Sequence, residues 1–172
     1  MIDSCTSLAT PVDPNGFCTG GLITVAGNIK NEKGQLIPNV NISLLGSEMA
    51  PLTSDLSGKY KFPYMNPGGE YDVVPTRNDN PLEGVSTLDL IYIQRHILKT
   101  EELNTPYKLV AADINKDGRI TAADIVQLRK VILGIHDNFP YNTSWRMIDK
   151  AYEFPDAKDP FLTPFPEKYH IE

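Results

Sequence analysis

Asp113-Ile114-Asn115-Lys116-Asp117-Gly118-Arg119-Ile120-Thr121-Ala122-Ala123-Asp124 carries oxygen side chains at its first, third and fifth positions and a glycine at its sixth. Alternate residues of a chain wrapped around a point turn inward, so Asp113, Asn115 and Asp117 converge. The sharp bend at the sixth position strains any side chain, which suits Gly118. Arg119 at the seventh position offers its backbone carbonyl. Thr121 at the ninth reaches the same point directly or through water, and Asp124 at the twelfth closes it with a carboxylate where Glu is commoner. All these donors are hard oxygens, with no thiol or imidazole among them, and such a set suits calcium. The alternative is a surface turn rich in Asp, Asn and Gly, which holds its shape without metal.

Working outward, Ile125, Leu128 and Ile132 recur at helical spacing and predict a helix over 122–133, ended by Gly134. Leu90, Ile93 and Ile97 predict another over 87–99, with Arg95 and Lys99 off the apolar stripe. Between them lie a linker, 101–106, and a short helical turn, 107–112. A shift of 35 residues superposes the two helices: Asp89 falls on Asp124, Ile93 on Leu128, and Ile97-Leu98 on Ile132-Leu133. The loops align too, with Asn78 on Asp113, Asn80 on Asn115, Val85 on Ile120 and Ser86 on Thr121. Such a repeat implies two related units that bury their apolar faces on each other, with Val85 and Ile120 as neighbours. The first loop departs from the pattern, because Leu82 stands at its fifth position and Glu83 at its sixth. Its expected donors are Asn78, Asn80, the carbonyls of Leu82 and Gly84, Ser86 and Asp89. Fewer carboxylates imply weaker affinity, and a metal-free structural loop is the alternative. The expected cofactor is Ca2+, at one site or at two.

This pair of loop-plus-helix repeats resembles a dockerin over about 76–136, strongly in the second repeat and less so in the first. The resemblance implies a non-catalytic adhesive module that docks, with calcium bound, to a cohesin-like module on another protein. The family's recognition positions map onto Thr87 and Leu88 in the first repeat and Ala122 and Ala123 in the second, with Arg95 and Lys130 further along the helices. Neither pair is the hydroxyl pair of cellulosomal dockerins. The partner is therefore either a cohesin-like module or a neighbouring domain of the same chain, and Arg95 and Lys130 read equally as solvated helix faces.

Before the repeats the period changes to two. Ile23 and Val25, then Val40, Ile42 and Leu44, then Tyr60 and Phe62, then Tyr71 and Val73 alternate with polar neighbours, separated by turns at 31–35, 55–58 and 66–69. Short strands between Gly, Pro and Asn turns predict a small all-β sandwich. The runs Val25-Ala26-Gly27-Asn28-Ile29, Pro38-Asn39-Val40-Asn41-Ile42, Ser57-Gly58-Lys59-Tyr60-Lys61-Phe62 and Gly69-Glu70-Tyr71-Asp72-Val73 resemble the carboxypeptidase-regulatory-like (transthyretin-like) sandwich. That resemblance implies a structural or interaction domain and carries no functional residues.

The expected fold class is thus α+β in two modules. An irregular lead-in, 1–21, precedes an Ig-like or transthyretin-like sandwich, 22–76, a dockerin-like calcium module, 77–136, and an extended tail, 137–172, that packs on both. The tail holds Pro140, Pro155, Pro160, Pro164 and Pro166 among aromatic anchors, and its Trp145 reads either as a gap filler or as a sugar platform. In the lead-in, Cys5 and Cys18 bracket a turn-rich loop, and a disulfide between them would mark an oxidising compartment; two free thiols are the alternative.

The net charge of -6, with no basic stripe, argues against nucleic acid. No apolar run approaches the roughly 18 residues of a membrane span. No signal segment opens the chain, which reads as a piece cut from a longer protein. His96, His136 and His170 fall in no ligand or triad spacing, and no phosphate loop follows a strand, so no enzyme is expected. The setting expected is a large secreted or surface protein of a bacterium, in a polysaccharide-degrading context. A carbohydrate-binding module and a partnerless spacer are the rival readings.

Overall fold

A computed structural model describes residues 21–171. Cys5 and Cys18, and the disulfide expected between them, lie outside the described residues.

The chain divides into two compact units, one running to Pro75 and taking in Lys168 onward, the other spanning Thr76–Glu167. The first is built of strands: β1 (Ile23–Asn28), β2 (Asn41–Leu45), β3 (Leu52–Thr53), β4 (Lys59–Met65), β5 (Tyr71–Thr76) and β6 (Tyr169–Ile171). β1 and β4 form a two-stranded antiparallel sheet with Val25 opposite Phe62. The other sheet has the order β3-β2-β5-β6. The alternation read from the sequence is the alternation observed: Val25, Val40, Ile42, Leu44, Phe62, Tyr71 and Val73 are all buried.

The turns are made by the residues that favour them. Asp55 accepts backbone N–H bonds from Ser57 and Lys59 through its side chain. Gly58 closes that turn at φ 64°, where a Cβ would meet the backbones of Ile29 and Ile37 at 2.9 Å. The buried Ser54 hydroxyl beside this core is satisfied, since it accepts from the Val40 N–H and donates to the Ile37 carbonyl.

β3 and β6 were not expected. β6 lies in the stretch read as an extended tail with no strand named at its end, and it pairs antiparallel with β5, Asp72 opposite His170. Three residues with one aliphatic side chain carry too little pattern to be read as a strand alone.

The second unit holds α1 (Thr87–Ile97), α2 (Pro106–Ala112) and α3 (Ala122–Ile132). α1 and α3 pack on each other. Ile93, Ala112, Ile114 and Leu128 form the buried centre, and Val85 and Ile120, the two eighth-position residues, both pack against it. Each long helix starts with a reciprocal capping box, Ser86 with Asp89 and Thr121 with Asp124. Each ends in the same paired bonds: Thr100 N–H to the Arg95 carbonyl and Lys99 to His96, then Ile135 to Lys130 and Gly134 to Val131. The 35-residue repeat is therefore a repeat of helix ends as well as of apolar faces.

Candidate metal centre

The second loop is wrapped by its own first residue. Asp113 accepts the Asp117 N–H through one carboxylate oxygen (3.0 Å) and the Gly118 N–H through the other (3.0 Å). Left-handed backbone at Lys116 (φ 59°) and Gly118 (φ 78°) makes those close returns. Asp124 reaches back across the loop, accepting from Asn115 N–H (3.1 Å) and from its own helix cap, Thr121 N–H (2.8 Å). The loop and the first turn of α3 are thus laced together by two carboxylates.

Both of these carboxylates are inside the protein, Asp113 at 2% exposure and Asp124 at 0%. No Lys, Arg or His among the described residues pairs with either. Burial pushes the Asp113 pKa above its usual 3.8. The N–H groups of Gly118 and Asp117 work against the rise, and the charges of Asp124 and Asp117 add to it. Two unpaired carboxylates shielded from water are costly unless a cation meets them. The donors around them are oxygens, so a hard divalent cation fits this loop.

The remaining second-loop residues are placed less tightly. Asn115 donates to Asp117 through its side-chain amide (2.7 Å), and Asp117 also accepts the Arg119 N–H (2.9 Å). Arg119 itself is exposed, and the Thr121 hydroxyl caps α3 by accepting from Ala123 N–H. Among the described residues no three His, Cys, Asp or Glu side chains come close enough to form a metal cluster. An acid cluster is a narrow test for this loop, because Asn115, Thr121 and the Arg119 carbonyl are half of its expected donors.

The first loop does not bring its expected donors together. The Asn78 side-chain oxygen accepts the Ser144 N–H (2.9 Å), and that of Asn80 accepts the Leu82 N–H (3.1 Å). Leu82 is exposed, Gly84 takes left-handed backbone at φ 75°, and Ser86 and Asp89 are engaged in the α1 cap. Asp89 makes no bond across the loop to match that of Asp124.

Of the expected partner-binding residues, Thr87 and Leu88 are exposed at the start of α1. Arg95 pairs with Glu101 at 2.6 Å, both in solvent, and Lys130 is half-buried. Trp145 is half-buried, with the Arg77 guanidinium 5.0 Å from its ring centroid. Sequence reasoning missed Arg77, and it missed Asn142, whose side chain donates to the Asp113 carbonyl at 2.9 Å. The spacing of neither residue announces its role.

No helix among the described residues is long and apolar enough to cross a membrane. No curated protein and no solved structure gives a significant match to the chain. Residues 83–133, from the end of the first loop through α3, match the family model for the dockerin type I domain.

Proposed function

We propose that the second unit is a calcium-stabilised, non-catalytic attachment module. Its metal site is the loop Asp113, Asn115, Asp117, Arg119, Thr121 and Asp124, and its docking face is the outer side of α1 and α3. The observation that carries this reading is the pair of buried carboxylates, Asp113 and Asp124, with which no Lys, Arg or His among the described residues pairs, inside a segment that matches the dockerin type I model. Calcium bound there would tie the loop to the first turn of α3 and so fix the helix pair in the shape that docks. The outer helix faces support the second half of the reading. Ile91 and Val126 are repeat equivalents, as are Leu98 and Leu133, and all four are exposed, as is Leu88. The partner in this reading is a cohesin-like module, with a neighbouring domain of the same chain as the alternative, and the chain itself would belong to a larger secreted or surface protein of a bacterium in a polysaccharide-degrading context. The strand-built unit would serve as its structural companion, in the manner of a carboxypeptidase-regulatory-like sandwich.

Titration calorimetry with calcium on the whole chain tests the metal site. Saturable binding that Asp124→Ala abolishes is expected, and a flat titration of the wild type would refute the assignment. Pull-down against a panel of cohesin modules, in calcium and in chelator, tests the partner. Calcium-dependent capture that Leu98→Asp with Leu133→Asp removes is expected. Capture by none of the panel, together with no binding on a glycan array, favours the spacer reading.

A further inference from the structure

The first loop cannot follow the path of the second. The second turns on left-handed residues at Lys116 and Gly118, and the equivalent positions in the first are Pro81 and Glu83. Proline holds φ near -65° and closes the first turning point, and a left-handed Glu at the second would be strained. The first loop turns instead at Gly84, and its amide oxygens face N–H donors. Yet the helix it leads into is as well formed as its twin. α1 has the same capping box and the same paired bonds at its end, and it sends Ile93 into the shared core. Something other than an ion holds this loop against α1.

We propose that Arg77, stacked on Trp145, is an internal cation that does for the first loop what calcium does for the second. The guanidinium bonds the Asp79 carboxylate through Nε (3.0 Å) and the Glu83 carboxylate through Nη2, so one charge bridges two acids of the loop. Its side chain is only 9% exposed, while the two carboxylates it meets stand half in solvent. The other face of the arrangement comes from the C-terminal segment. Trp145 stacks on the guanidinium, and the neighbouring Ser144 N–H takes the side-chain oxygen of Asn78, the residue equivalent to Asp113. A planar fork suits the task, because it can reach two carboxylates while lying flat on a ring. The comparison between the loops rests on the calcium reading of the second.

The test combines calcium titration of the whole chain with melting curves in chelator for the wild type, Arg77→Met and Arg77→Lys. One ion per chain is expected, with a drop of roughly 4 °C for Arg77→Met, an unchanged stoichiometry, and partial recovery in Arg77→Lys, which keeps the charge. Two ions per chain, or an Arg77→Met curve that overlays the wild type, would overturn the proposal. Equal losses in Arg77→Met and Arg77→Lys, with the midpoint of Glu83→Gln unmoved, would also overturn it, since packing alone would then explain them. If Arg77→Met does not fold, Glu83→Gln removes one arm of the bridge. A lowered midpoint supports the role and an unmoved one refutes it. A wild type that takes up no calcium but still shows the Arg77→Met loss refutes the second-loop assignment and leaves the role of Arg77 standing.

Discussion

Lys99 holds a left-handed backbone, φ 56°, at the place where its repeat partner is Gly134, φ 67°. The two helices end in the same bonds, but only one has the residue that does so without strain. Lys99→Gly should therefore stabilise the protein by about 0.5–1 kcal/mol, once the greater freedom of an unfolded glycine is set against the relieved strain. Urea denaturation checks it, and an unchanged midpoint would contradict the strain argument. At Asp113 the raised pKa has a sign that can be followed. The folded state holds this proton more tightly than the unfolded state, so the contribution of Asp113 to stability falls as pH rises from 3.8 through the raised value. In chelator, the difference in melting temperature between the wild type and Asp113→Asn should shift in favour of the variant across that window. A pH-independent difference would show that the burial of Asp113 carries no such cost. Neither effect is visible in the residue names. The sequence placed Asp113 at a ligand position, and the fold alone took it out of water.

The caps decide how firmly the loops are joined to the helices. Ser86 and Asp89 form the α1 box in partial solvent, while Thr121 and Asp124 form the α3 box with Asp124 fully buried and bonded across the loop to Asn115. Thr121→Ala should cost about 1–2 kcal/mol and Ser86→Ala about 0.5–1 kcal/mol, because loss of the first also loosens the carboxylate that ties the loop. Chemical denaturation of the two variants in chelator checks the order, and equal losses would mean that the bond from Asn115 to Asp124 adds nothing. At this scale the sequence was informative. Apolar spacing located α1 and α3 to within a residue or two, and Gly134 marked the end of the second. Pro81 falls on Lys116 in the repeat, but only the structure shows that Lys116 is a left-handed turning point. The C-terminal contributions were not legible. Asn142 on the Asp113 carbonyl and Ser144 on Asn78 join residues far apart in the chain, and no local periodicity encodes such pairs.

At the scale of the whole molecule, the strand-built unit takes its last strand from the C-terminal end of the chain. β6 covers the outer edge of β5, and Asp72 accepts bonds from Lys168 (2.6 Å) and His170 (2.9 Å), which draw its pKa below 3.8. Truncation after Glu167 should lower the melting temperature and leave the β5 edge free to pair between molecules, a known hazard of exposed strands. Sedimentation velocity should then show concentration-dependent association, and a monomer as stable as the full chain would refute the edge role. What the sequence determined by itself was whatever repeats over short distances: alternation in the strands, the helical stripes, the turn residues, and the order of oxygen donors in the second loop. These follow from local geometry, in which each residue's neighbours along the chain set its surroundings. Tertiary structure alone decided which carboxylates lost water, that Arg77 would find Asp79, Glu83 and Trp145 together, and that three residues near the C-terminus would finish a sheet begun at the other end. Burial and charge pairing depend on segments brought together from far along the chain, and that proximity exists only once the chain has folded.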